Sequence, residues 1–241
     1  MSVLIILDDT IWIDLPDGRQ LSARLWLPKT GHSYPVIFEY LPYRKRDGTA
    51  ERDATTHAHF VKHGYASIRV DIAGTGDSYG QTLRDDQLDQ IARLGMSVSF
   101  FSAHIYYWGD LHYTTILGPA RAERISPAAS AQQRGIRFTI HNDASVTPTR
   151  PLHLAHCAVE RQTYGGRILG KAQKISRLSA LRAMTIDAAW QVFEDSKRGS
   201  IENGKLADLV ILSENPLKTS KSLSDIRVMQ TIRRGTIAYQ A

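Results

Sequence analysis

Residues 135–148 read GIRFTIHNDASVTP. The apolar run IRFTIHND is expected to be a strand that runs into a loop at Asn142 and Asp143. The segment PLHLAHCAVERQTYGG follows from Pro151 and reads as a helix. Upstream, GPARAERISPAASAQQRG reads as helical up to Gly135, with Pro127 inside the pattern. Before it, MSVSFFSAHIYY reads as a strand running into a loop. Earlier still, TLRDDQLDQIARLG is an amphipathic helix with Leu83, Leu88, Ile91 and Leu94 near one face and Gly95 closing it. Helix, strand, helix, strand, helix in this order implies parallel βα units.

Working outward, ISRLSALRAMTIDAAWQVF holds one or two further helices. ADLVILSENP and IRVMQTIRRGTIAYQ read as short strands, the second with a turn at Arg233-Arg234-Gly235. Toward the N-terminus, IWIDL and SARLWLP flank PDGR, whose Asp17-Gly18 is a hairpin signal. VIFEYLPY is a buried strand by its apolar density, RKRDGTAERDA is loop-like, and TTHAHFVKHG is a short helix ending at Gly64. YASIRVDIAG is a second buried strand, ending in the turn GTGDSYG. This too is a βαβ pattern.

The 241 residues fit one large or two small domains, and 42% apolar with 22% charged residues is ordinary globular composition. The longest apolar runs fall well short of the ~18 residues that span a bilayer, and MSVLIILDDT has no basic leader region. One cysteine, Cys157, excludes an internal disulfide and a cysteine-cluster metal site, so a reducing cytoplasm is the expected compartment. The net charge of +6 divides into −1 over residues 1–80 and +7 beyond them. The bases are scattered without interleaved aromatics, so nucleic acid and membrane are not expected partners. His57, His59 and His63 lack an adjacent glutamate base or third ligand and read as a helix surface.

The runs DLPDGRQLSARLWLP, PVIFEYLPYRKRDGTAERD and HGYASIRVDIAGTGDS together resemble the front of the CocE/NonD hydrolases, the X-Pro dipeptidyl-peptidase type, over residues 9–80. Those enzymes are α/β-hydrolases with a Ser-His-Asp triad. The resemblance implies for Tyr43 the role of an oxyanion donor, which acts on charge that develops in the transition state. Gly76-Asp77-Ser78-Tyr79-Gly80 is a literal Gly-x-Ser-x-Gly match, which makes Ser78 the alternative nucleophile. The resemblance itself places this stretch in the glycine-rich loop before the family's nucleophile.

From Thr82 onward the chain resembles the C-terminal part of amidohydrolase family 3, the YtcJ-like metal-dependent hydrolases. The motifs are LRDDQLDQIARLG, SFFSAHIYYWGDLH, ILGPARAERISPA, GIRFTIHNDASVTP, ALRAMTIDAAW and GSIENGKLADLVILSENP. The resemblance implies that Asp143 follows the last barrel strand, touches a divalent metal such as zinc, and acts as base toward the metal-bound water. His141 flanks Asp143, and it or else His104 would be recruited as the second metal contact. His104, Trp108, Asp110 and Asn142 are the implied substrate-pocket residues. The family's ligands on earlier strands have no counterpart here.

These readings give an α/β chain. A partial α/β-hydrolase-like sheet (residues 1–80) is expected to pack with a partial (β/α) barrel segment and terminal β-sandwich strands (residues 81–241), as a chimera joined near Gly80-Gln81. Unclosed sheets leave edges bare, so a homo-oligomer is expected. The expected activity is metal-assisted hydrolysis of amide, ester or lactone bonds in a small molecule through Asp143. The alternatives are a serine esterase built on Ser78, or a non-catalytic fusion of two hydrolase fragments.

Overall fold

A computed structural model describes residues 5–29, 33–41, 43–46, 49–74, 76–78 and 85–241. The chain divides into two compact units, Met1–Arg84 and Asp85–Ala241. Gly80 and Gln81, the expected junction, lie outside the described residues. No helix among the described residues is long and apolar enough to cross a membrane.

The first unit is a four-stranded sheet in the order β1-β2-β4-β3 with one helix. Strand β1 (Ile5–Asp14) and strand β2 (Gln20–Pro28) form the antiparallel hairpin that Asp17-Gly18 signals. Strand β3 (Val36–Leu41), helix α1 (Ala50–Lys62) and strand β4 (Ala66–Asp71) form the parallel βαβ unit, with Val36 opposite Ala66 and Leu41 opposite Asp71. One sheet face gathers Leu21, Ala23 and Val70, with Ile11, Ile13 and Ile68 beside them. Helix α1 lies on the other face and buries Asp53, His57 and Val61, spaced by four residues. It begins five residues earlier than the sequence implied. The polar AERDA segment is helical because its solvent side tolerates charge, while Asp53 turns inward to Arg69 of β4. His57 is likewise buried beneath Trp26 (ring centroids 4.3 Å apart) and is not a surface residue; His59 and His63 are exposed.

The second unit begins with helix α2 (Asp85–Arg93) and the parallel pair β5 (Val98–Phe100) and β6 (Phe138–Ile140), in which Phe100 stands opposite Ile140. Between these strands the chain is helical: α3 (Ala103–Leu111), a π-helical turn (His112–Ile116), α4 (Pro119–Ala122) and α5 (Ala128–Gln133). The sequence implied strand and loop over SAHIYY. The run is instead α3, because Ile105 and Gly109, four residues apart, are both buried on one helix face. The expected single helix over 118–135 is broken at Ser126, where φ is +45°. Pro127 therefore caps α5 instead of lying inside a helix.

Helix α6 (Pro151–Glu160) follows β6, then α7 (Arg177–Met184) and α8 (Ile186–Gln191). Ser176 caps α7 by accepting a bond from Ser179 N at 3.0 Å. Small residues on these helices, Ala155, Ala158, Ala180 and Ala183, let their backbones approach the core of Phe100, Phe138 and Ile140. The tail forms an antiparallel sheet of β7 (Leu209–Leu212), β8 (Val228–Arg233) and β9 (Thr236–Gln240), with Gly235 at φ +79° in the turn. Each of the three sheets draws all its strands from one unit.

Candidate functional site at the ends of β5 and β6

Parallel strands end side by side, so the residues leaving β5 and β6 meet. His141 N donates to Phe100 O at 3.0 Å, which carries the pairing one residue past β6. The His141 ring then lies parallel to Phe101, centroids 5.4 Å apart, with its Nδ1 2.8 Å from Ser99 Oγ. Helix α3 starts at this point. It presents His104 and Trp108 at i and i+4, and His112 follows in the π-helical turn. The His104 ring lies 4.7 Å from Phe101, 5.1 Å from Trp108 and 5.2 Å from His112.

Asp143 sits at the tip of the turn after β6 at φ +48°, a left-handed conformation that aspartate tolerates better than most residues. The turn is locked. Asn142 Nδ2 donates to Thr147 O at 2.9 Å, Thr147 Oγ1 donates to Asn142 O at 2.6 Å, and Val146 N donates to Asp143 O at 2.7 Å. Asp143 is exposed, and its negative charge reaches the His104 ring. Burial, with the neighbouring His112 and His141, pushes His104 below the ordinary imidazole value; Asp143 opposes that shift. Burial lowers His112 as well. The result is an exposed carboxylate against a half-buried imidazole biased toward its neutral form. Such a pair can take up a proton on one group and offer a hydrogen bond from the other.

The other expected site residues have different places. Asp110 accepts from Gly165 N at 3.0 Å and pairs with Arg167 at 3.4 Å. Burial would raise its carboxyl, but bonds from Thr163, Gly165 and Arg167 hold it below the usual carboxylate range. It fastens α3 to the loop after α6. Asn142 shapes the turn, and its Oδ1 is buried without a hydrogen-bond partner. In the first unit, Ser78 is buried; its Oγ donates to Asp71 O at 2.7 Å and accepts from Ser22 N at 2.8 Å. Both capacities of the hydroxyl are used on the backbone, and no imidazole bonds to it among the described residues. Tyr43 is exposed, and its carbonyl accepts from Arg69 at 2.8 Å. Tyr79 and Gly80 of the Gly-x-Ser-x-Gly match lie outside the described residues.

A zinc site takes three or more ligands that converge on one point. Among the described residues one group of His, Cys, Asp and Glu brings three ligand atoms within 4.8 Å of one another, namely Glu39, Asp53 and His57 in the first unit. It does not suit a divalent cation. The Arg69 guanidinium stands 3.2 Å from Asp53 and 3.7 Å from Glu39, and Arg52 holds the other Asp53 oxygen at 2.9 Å. The positive charge is already present. His57 Nδ1 lies 2.5 Å from Ser67 Oγ, so the cluster is an ion-pair core beneath α1. At the strand ends, Asp143 and His141 do not belong to a converging set of three, so the described residues there do not form a metal centre by themselves.

Sequence reasoning gave no role to His112 or Phe101. The signal for His112 was its spacing from His104 and Trp108 (i, i+4, i+8), which acquires meaning only once SAHIYYWGDLH is helical.

The second unit places one parallel strand pair, β5 and β6, among helices, with an aspartate in the turn after β6 and a ring cluster beside it. The sequence profile of the Amidohydrolase family matches residues 46–239, and the chain belongs to that family. The match begins inside the stretch that resembles the CocE/NonD hydrolases. An N-substituted formamide deformylase of Arthrobacter pascens is 27% identical over 170 residues, 70% of this chain and 30% of that protein. An uncharacterized metal-dependent hydrolase from Pyrococcus horikoshii OT3 superposes with a TM-score of 0.51 at 21% identity, covering 60% of this chain and 29% of that one. A CocE/NonD family hydrolase from Staphylococcus aureus aligns with a TM-score of only 0.29 at 15% identity, over 38% of this chain and 20% of that one, which carries no argument about the first unit. The chain spans less than a third of the length of these relatives.

Proposed function

We propose that the chain hydrolyses amide bonds of a small molecule, with Asp143 moving the proton. The observation that carries this reading is the placement of Asp143 in the turn that follows the C-terminal end of β6, on the side where helix α3, with His104 in its first turn, follows β5. In barrels of parallel strands, catalytic groups sit at that end. Asp143 takes a proton as water attacks the acyl carbon and returns it to the departing nitrogen. His104, in its neutral form, donates a hydrogen bond to the carbonyl oxygen as negative charge grows there. Phe101 and Trp108 wall the site against water. Members of the family use a metal to acidify the attacking water; here we assign no ligand set, for the reasons of geometry given above. The likeness of the first unit to CocE/NonD hydrolases over residues 9–80, and hence the fusion of two ancestries, belongs to the same proposal. It rests on the βαβ unit of β3, α1 and β4.

The test is turnover of simple N-substituted amides by the purified chain, with and without chelator, beside metal analysis and Asp143→Asn. Loss of about a hundredfold in kcat in the variant is expected. Turnover that survives Asp143→Asn would refute the role of that residue.

A further inference from the structure

We propose that His59 and His63 form a copper(II) site at the end of α1, a pair of imidazoles that chelates the ion while water fills its other positions. The two residues are four apart, so they stand one above the other on a single helix face. Both are exposed, on the side of the helix opposite the buried Asp53 and His57. Their ring centroids are 4.3 Å apart and the rings are tilted by 39°.

That separation is the one a shared ion imposes. An ion about 2.1 Å from an imidazole nitrogen lies about 3.2 Å from the centre of the ring. Two rings bound at a right angle therefore stand about 4.5 Å apart, and two bound at the tetrahedral angle about 5.3 Å. The 4.3 Å found here fits the right angle of a square-planar or tetragonal ion.

A hydrogen bond selects the ligand atom. His63 Nδ1 lies 2.9 Å from His59 O, and a carbonyl can only accept. Nδ1 therefore carries the proton, and Nε2 of the neutral ring keeps its lone pair. A backbone carbonyl on the far nitrogen is the common support of a metal-bound histidine. That carbonyl is available because the helix is ending. His63 N donates to Phe60 O at 3.0 Å and does not reach back to His59 O. The helix end thus orients the His63 ring before an ion arrives.

The donor set selects the ion. Among the described residues no third His, Cys, Asp or Glu converges with this pair. Two imidazoles and water suit neither magnesium nor calcium, which take oxygen ligands. They do not complete a structural zinc site, which takes four protein ligands. Copper(II) heads the divalent affinity order, accepts imidazole nitrogen and takes the right-angle geometry. Both ligands belong to one helix, so the chelate is complete within the first unit. A bound ion ties the last turn of α1 to its C-terminal cap and stabilises the folded state by mass action.

The experiment titrates the full chain with copper(II) chloride at about pH 7.5, where both imidazoles are neutral. Electron paramagnetic resonance reads the ligands, and thermal melts read the coupling to folding. A tetragonal copper spectrum with two nitrogen donors is expected, with a Tm of the first unit that rises with copper and not with magnesium. His59→Gln and His63→Gln should each weaken binding at least about tenfold, the cost of losing one arm of a chelate. Their far-UV spectra should match the wild type. If His63→Gln frays the helix end, His59→Gln carries the test, since it leaves the cap in place. Equal copper affinity in the double variant would put the ion elsewhere on the chain and overturn the proposal. So would a wild-type spectrum with a single nitrogen donor.

Discussion

Asn142 and Thr147 clamp each other. The amide of Asn142 donates to the Thr147 carbonyl at 2.9 Å, and the Thr147 hydroxyl donates to the Asn142 carbonyl at 2.6 Å. The pair closes the turn that holds Asp143 at positive φ. Thr147→Val removes one bond while keeping shape, and leaves the Asn142 carbonyl without that donor. A stability loss of about 1–2 kcal/mol is expected in urea titration. If Asp143 works as proposed, kcat should fall several-fold with KM little changed, since the carboxylate is displaced and the walls of the site are not.

Arg161 ends α6 in a left-handed conformation (φ +52°) and is buried. Its guanidinium donates to Leu169 O at 2.7 Å, Ile125 O at 2.8 Å and Ser126 O at 3.0 Å. Burial pushes its pKa down to about 10, which Glu123 partly offsets. Arg161→Met would leave three carbonyls without their donor. A loss of about 3–5 kcal/mol is expected, read as a lower urea midpoint for the second unit. Arg161→Lys should recover only part of it, because a single ammonium does not reproduce the planar fork.

Which of these features the sequence revealed depended on how local their cause was. The β1–β2 hairpin, the β3–α1–β4 crossover and the β8–β9 turn at Gly235 follow from residues within a few positions of each other. Asp143 was singled out through the family resemblance of GIRFTIHNDASVTP, and the structure puts it in the turn after β6. The helix α3 was not, since Ile105, Tyr106 and Tyr107 suit a strand equally well, and only burial of Ile105 and Gly109 on one side decides it. The inward turn of Asp53 and His57 was hidden for the same reason: their partners, Arg69 and Trp26, lie on other strands.

The buried His57 makes the first unit acid-sensitive. Burial lowers its pKa below the ordinary value of 6.5, while Glu39 and Asp53 oppose and Arg69 adds to the shift. The folded state therefore binds a proton less readily than the unfolded chain. Stability is full above about pH 6.5 and declines as pH falls from there toward the folded value. Thermal melts between pH 8 and 5 should show Tm of the first unit dropping across that window. His57→Gln should flatten the profile there; an unchanged slope would remove His57 as the cause.

Ser78 bears directly on the serine-esterase alternative. A serine nucleophile needs an exposed hydroxyl hydrogen-bonded to a base. The Ser78 hydroxyl is buried, donates to Asp71 O and accepts from Ser22 N, tying the loop after β4 to β2. A fluorophosphonate probe should therefore leave the folded chain unlabelled. Ser78→Ala should instead cost about 1–3 kcal/mol of stability, because Ser22 N loses a buried acceptor. The amide turnover proposed for the second unit should be the same in Ser78→Ala at temperatures where both proteins are folded. Stoichiometric labelling that disappears in Ser78→Ala would reverse this assignment and restore the esterase reading.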